Sequence, residues 1–227
     1  MKSIEIGSFE EFHSIVTGPT GLRAIFRGVR DSEKHKLIPS IGRLTAKQRG
    51  KSGFPSYEKN IFRTFKEWSV PYLKVIPTSD LEWLALAQHH GLPTRLLDWT
   101  YNPLVALFFA IENTHEGSNA VFIYRKTRTL DGAEVMNPFN VTKTVAYRPS
   151  HFSDRIRVQQ AVFTLHSNPQ EEFKHTDRIT KILIPDNLHV PLRRALARYQ
   201  IGRATLFPGL DGITQEIIAR STLDEDT

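Results

Sequence analysis

Residues Leu86 to Ala110 read LAQHHGLPTRLLDWTYNPLVALFFA, and this stretch constrains the fold more than any other. Asn102 followed by Pro103 is a capping residue before a first-turn proline, so PLVALFFAIEN is expected to be a helix. It is apolar nearly all round, hence buried. Yet the segment leading into it carries His89, His90, Thr94, Arg95, Asp98, Trp99 and Thr100. Burying polar groups costs stability unless they are paired. Either these side chains satisfy one another or they hold a ligand.

The flanking elements follow from periodicity and punctuation. Phe9, Phe12, Ile15 and Val16 recur at helical spacing behind Ser8, and LRAIFRGV reads as a strand leading into Gly28. Tyr57 to Trp68 places Ile61, Phe62, Phe65 and Trp68 on one helical face. Ser79 and Glu82 form a capping box for the next helix, which stops at Gly91 ahead of Pro93. AVFIYR, VQQAVFTLH and ITKILIP read as strands from their β-branched and aromatic content. VPLRRALARYQIG reads as a helix closed by Gly202, and Asp211 as the N-cap of a last short helix, GITQEIIA. No regular strand–helix–strand alternation runs through the chain. The expectation is therefore one α+β domain over residues 1–227, a mostly antiparallel sheet with flanking helices.

Composition excludes more than it selects. Cysteine is absent, which removes disulfides and thiolate metal sites. No run of about eighteen apolar residues offers a membrane span. The start, MKSIEIGSFEEFHSIV, lacks the uninterrupted apolar region of a signal peptide, so a cytoplasmic protein is the default expectation. A net charge of +6 favours anionic partners such as nucleotides or nucleic acid. The densest basic run, GRLTAKQRGKSG from Gly42 to Gly53, reads as a mobile loop, and the terminal STLDEDT as a frayed acidic tail. GxxxxGK[ST], GxGxxG, HExxH and a serine nucleophile elbow are all missing, so the common kinase and hydrolase readings fall away. His89 and His90 are adjacent and point about 100° apart on a helix, unlike an i, i+4 chelating pair, and no metal is expected.

Two stretches are not required by loop rules: IFRGVRDSEKHKLIPSIGR, Ile25 to Arg43, and the opening stretch. With RIRVQQAVFTLH and ATLFPGLDGI they closely resemble the FRG domain, a family of prokaryotic and phage proteins named for a Phe-Arg-Gly motif, here Phe26-Arg27-Gly28. The family's QHxGxPTRLLDWT element stands as Gln88 to Thr100, and the resemblance runs from about residue 5 to about residue 215. More distantly, the order of pieces resembles ADP-ribosyltransferases. In those enzymes a strand ending in RG supplies an arginine for NAD, a polar strand feeds a buried helix, and a late strand supplies a catalytic glutamate. Here Arg27-Gly28 match the first, and DWT with PLVALFFA the second. At the third stands RVQQAVF, so Gln159 or Gln160 replaces the glutamate.

That resemblance implies NAD as cosubstrate, with Arg27, Asp98, Gln159, His89 and His90 around the scissile bond. A neutral amide orients a ribose but supplies little field where positive charge develops, so Asp98 is the best replacement carboxylate, ahead of Glu171, Glu172 and Glu216. Phe26, Gly28, Ser40, Arg43, Thr94, Arg95, Trp99, Thr100 and Gln160 are the candidate cofactor-binding residues. Each has a plainer alternative. Arg27 or Arg95 forks onto a phosphate, or closes a salt bridge with Asp98. Gly28 lets a ligand approach the backbone. A neutral histidine acts as base, or caps its helix. Trp99 stacks on a ring or fills the core, and Thr94 and Thr100 orient a ribose or cap turns.

Two functional expectations follow. One is an ADP-ribosyltransferase-like enzyme that modifies a protein or nucleic acid, in a toxin or phage-defence setting with an antitoxin or immunity partner. The other is a non-catalytic nucleotide- or nucleic-acid-binding module. A metal-free nuclease using His89 and His90 ranks last, because adjacent histidines on one helix serve one phosphate poorly.

Overall fold

The buried helix forms where its cap places it: the Asn102 side chain accepts the Leu104 N–H at 2.9 Å, and Pro103 opens the first turn. A computed structural model describes residues 1–50, 53–112, 118–126, 129–130, 137–150, 153–174 and 177–224. The strands are β1 Lys2–Glu5, β2 Ala24–Val29, β3 Leu96–Thr100, β4 Asn119–Arg125, β5 Thr129–Leu130, β6 Val145–Tyr147, β7 Ala161–Leu165 and β8 Ile179–Ile184. The helices are α1 Phe9–Thr17, α2 Ala46–Arg49, α3 Phe54–Ser69, α4 Asp80–His89, α5 Pro103–Ile111, α6 Asp154–Val158, α7 His189–Arg198, α8 Arg203–Leu206 and α9 Leu210–Asp224.

The strands form one sheet in the order β1-β8-β4-β2-β3-β7-β6-β5. Pairing is parallel at its two ends, β1 with β8 and β5 with β6, and antiparallel between. This is the mostly antiparallel α+β arrangement that the sequence leads one to expect. Alternation along the central strands sends Phe26, Val121, Ile123 and Ile182 to one face, beneath α1, α5 and α7. Ile25, Val29, Ala120, Phe122 and Tyr124 go to the other, with Leu97, Trp99 and Phe173. A third cluster packs α3 and α4 against the β3–β7–β6 side through Phe62, Leu81, Leu84, Leu96, Tyr147 and Phe163. Among the described residues no helix is long and apolar enough to cross a membrane.

Helix α5 lies on β2 closely enough to dictate a residue there. A Cβ on Gly28 would sit 1.9 Å from the Ala106 carbonyl oxygen and 2.6 Å from the Ala110 nitrogen. The direction a Cβ would take from Gly28 is thus filled by helix backbone, which is by itself a packing reason for glycine at this position. Gly28→Ala must lever α5 off the sheet, and we expect a loss of about 3 kcal/mol, read from the urea unfolding midpoint. An unchanged midpoint would refute the close approach.

Several boundaries move for physical reasons. Part of the basic run is a helical turn, α2, closed by a Thr45–Gln48 capping box; residues 51–52 of that run lie outside the described residues. Of VQQAVFTLH, only Ala161–Leu165 is strand. Ser153 caps α6 by accepting the Ile156 N–H, and Gln160 turns the chain at φ 47°. Helix α7 ends at Arg198, Gly202 caps α8 instead, and Asp211 lies in the first turn of α9 rather than before it. Of the terminal STLDEDT, residues 225–227 lie outside the described residues.

Candidate functional site

Strands β2 and β3 pair at one position, Phe26 with Thr100, whereas β2 runs against β4 along its whole length and β3 against β7. Beyond that pair the two strands part. The sheet therefore opens at its centre, beside α5. The Asp98 carbonyl faces this gap and is satisfied by a side chain: Arg27 Nη1 donates to it at 2.7 Å and lies 3.6 Å from the Asp98 carboxylate.

A cleft of about 580 Å³ occupies the opening. Arg27, Arg30, Arg43 and Arg155 line it, together with the carboxylates of Asp98 and Glu112, the rings of His35 and His89, and the amides of Gln88 and Gln159. Phe26, Phe109 and Phe163 supply apolar wall. Burial pushes the Arg27 guanidinium below its usual range; Asp98 opposes the shift and Arg43 adds to it. Burial does the same to Arg155, opposed first by Asp98 and then by Glu112. Arg30 and Arg43 make no ion pair or side-chain hydrogen bond among the described residues. Four guanidinium groups thus face two carboxylates. His35 and His89 are also pushed down, mainly by burial, and so favour the neutral imidazole.

The predicted residues divide cleanly. Arg27, Asp98, Gln159 and His89 converge on the cleft, with Phe26, Gly28, Arg43, Trp99 and Thr100. Gln159 stands on the turn after α6, where its Nε2 donates to the Leu206 carbonyl at 2.9 Å and its own carbonyl accepts the Thr100 hydroxyl at 2.6 Å. Trp99 is core: it is 3% exposed and its indole N–H donates to Thr164 Oγ1 at 2.9 Å.

Arg95, Ser40, Thr94, His90 and Gln160 do not line the cleft. Arg95 is buried in a bidentate pair with Glu58, at 2.8 Å from Nε to Oε1 and 2.5 Å from Nη2 to Oε2. Its partner is therefore Glu58, not a ligand and not Asp98. Ser40 and Thr94 bond each other, with the Thr94 N–H donating to Ser40 Oγ at 3.1 Å. His90 and Gln160 are exposed. Of the poorer carboxylates, Glu216 accepts the Arg203 backbone N–H at 2.6 Å, outside the cleft.

A model of the FRG domain matches residues 22–119, which contain Arg27, Arg43, Gln88, Asp98 and Glu112. Residues 22–119 of the chain thus resemble the FRG domain. Neither a curated protein nor a solved structure matches the chain. The FRG match is narrower than the resemblance drawn from residues 5 to 215, and it leaves Arg155 and Gln159 beyond its end.

Sequence reasoning missed Glu112. It follows the last residue of α5, its side chain is 12% exposed, and it lies 2.5 Å from Arg203 Nη2. Burial pushes its carboxyl up, opposed first by Arg203 and then by Arg30, Arg155 and Arg193. A signal was present: an acidic residue directly after a helix buried on all sides has few ways to reach water. Gln88, inside the long FRG motif, was passed over as well.

Behind Trp99, Thr164 Oγ1 accepts the indole N–H and shares a second hydrogen bond with His166 Nε2 at 2.9 Å. His166 is held neutral: burial, then Arg27 and Arg95, push it from 6.5 to about 3. The unfolded chain takes a proton there that the folded protein refuses. Stability is therefore expected to fall as pH drops below about 6.5, by about 2 kcal/mol at pH 5 from this residue. Denaturant titrations at several pH values check this, and His166→Gln should flatten the slope.

Proposed function

We propose that the cleft binds the diphosphate of a nucleotide and that the protein is an NAD-dependent ADP-ribosyltransferase. The observation that carries the reading is the charge balance: four arginines against two carboxylates, with Arg30 and Arg43 unpaired among the described residues. A guanidinium offers a planar fork matched to phosphate oxygens. The volume, about 580 Å³, suits a small ligand, and half-buried Phe109 gives a base an apolar surface.

In this reading Asp98 stabilises the positive charge that grows on the ribose as its bond to nicotinamide breaks. Nicotinamide leaves as the neutral amide, and the acceptor's lone pair closes on the same ribose carbon. His89, kept neutral by burial, takes the acceptor's proton. The Gln159 side chain, anchored on Leu206, orients the ribose in place of a glutamate. The acceptor is a protein or nucleic acid. A toxin or phage-defence role, with an antitoxin or immunity partner, follows from the family resemblance alone.

The test has two arms: calorimetry with ADP-ribose, and nicotinamide release plus label transfer from labelled NAD in a cell lysate. Binding, release and transfer are all expected. Binding without release would instead favour the module reading, which draws on exposed Lys47 and on Arg49 of α2, directly after Arg43. Nucleic-acid affinity would then fall steeply with salt.

A further inference from the structure

Gln88 makes different bonds at its two ends, and the surroundings fix which end is which. The Asp98 carboxylate only accepts, so the Gln88 amide turns Nε2 to it, and its Oε1 takes the hydrogen of the Thr94 hydroxyl, 2.5 Å away, while Thr94 Oγ1 accepts the Leu96 backbone N–H at 3.1 Å. The amide therefore presents oxygen to Thr94 and nitrogen to the cleft. Nε2 donates to Asp98 Oδ2 at 3.0 Å, with the Leu96 carbonyl a longer second acceptor at 3.4 Å. Thr94 is itself fixed by Ser40, which accepts its N–H at 3.1 Å and donates to its carbonyl at 3.4 Å. Ser40 opens the short 3-10 turn Ser40–Arg43, whose last residue lines the cleft. A continuous chain of bonds thus runs from that turn to the Asp98 carboxylate.

Asp98 needs such a chain. Its side chain is 56% exposed, and an exposed carboxylate on a strand ordinarily changes rotamer at will. Here Gln88 holds Oδ2 from one side, and Arg27 approaches the same oxygen at 3.6 Å from the other. The second oxygen, Oδ1, makes no hydrogen bond among the described residues. We infer that Gln88 is a positioning residue: its Nε2 fixes the Asp98 carboxylate so that Oδ1 faces the ligand, where it accepts a ribose hydroxyl. The effect on ligand rests on the nucleotide reading above, whereas the effect on Asp98 rests on geometry alone.

Two variants separate this role from a space-filling one. Gln88→Glu keeps the shape and the acceptor for Thr94 but sets a carboxylate oxygen, not a donor, against Asp98. Gln88→Met removes both bonds. Calorimetry with ADP-ribose at pH 7.5 should show at least a 10-fold weakening for each, with Gln88→Glu the more severe. In an Asp98→Ala background neither change should weaken binding further, since Gln88 acts through Asp98. Crystal structures of the variants should show the Asp98 carboxylate turned out of its native rotamer.

Wild-type affinity in Gln88→Glu, or losses that simply add to that of Asp98→Ala, would overturn the proposal. Should wild-type protein itself fail to bind ADP-ribose, the nucleotide reading falls. The crystal structures then decide the positioning claim by themselves: a displaced Asp98 supports it, and an unmoved one overturns it. Thermal unfolding shows that each variant is folded; should Gln88→Met fail, the closer isostere Gln88→Glu carries the test.

Discussion

Glu58→Ala is expected to cost about 3–5 kcal/mol, close to the whole stability of an ordinary domain. Glu58 is 2% exposed, and the Arg95 that it meets is 6% exposed. The Arg95 fork ties α3 to the residue just before β3 through the two carboxylate bonds. Its Nη1 donates to the carbonyls of Pro138 at 3.2 Å and His166 at 3.3 Å, and the guanidinium lies 5.1 Å from the Phe139 ring centre. One side chain therefore joins four segments distant in sequence. Removing the carboxylate leaves a cation in the core with only carbonyl dipoles for company, and removing the cation strands the carboxylate. Urea unfolding of Glu58→Ala, Glu58→Gln and Arg95→Met measures this. Glu58→Gln should be intermediate, since an amide oxygen still accepts one bond. A loss under about 1 kcal/mol for Glu58→Ala would show the pair to be better solvated than the structure has it.

That pair also shows where sequence reasoning stops. Helix α5 is legible because its signals are local: a cap, a first-turn proline and an apolar run. The gathering of Arg27, Asp98, Gln159 and His89 was legible too, because two motifs carry three of them. Arg95 is different. It stands in the same motif three residues from Asp98, and nothing local says that it faces the opposite way, toward a glutamate 37 residues earlier. Gly28 has the same ambiguity, since a glycine that admits a ligand and one that admits a helix look alike until α5 is placed. VQQAVFTLH was read too long because its strand-like content continues past the point where the Ser153 cap and the turn at Gln160 reverse the chain. The opening itself, the parting of β2 from β3 after one paired position, is a property of the whole sheet, and no short pattern encodes it.

Arg27→Met is expected to do the reverse of Arg95→Met: it should weaken ligand binding strongly while leaving the fold as stable or more so. Arg27 is 18% exposed at its side chain, and its buried Nε has no hydrogen-bond partner. Burial pushes its guanidinium down, the nearest carboxylate stands 3.6 Å away, and Arg43 repels it. A cation held this way is paid for by the rest of the structure. Methionine fills the aliphatic part of its volume without the desolvation cost or the orphaned donor. It also leaves the Asp98 carbonyl in the gap, where water reaches it. We expect the melting temperature to hold or to rise by about 2–4 °C, the shift that roughly 1 kcal/mol produces in a chain of this size. ADP-ribose affinity should fall about 100-fold, as when one partner of a charge-assisted contact is removed. Two measurements on each of two variants then separate arginines that build the protein from arginines that serve its cleft. If Arg27→Met melts as low as Arg95→Met, Arg27 belongs to the scaffold, and the charge around the cleft must be attributed to Arg30, Arg43 and Arg155 alone.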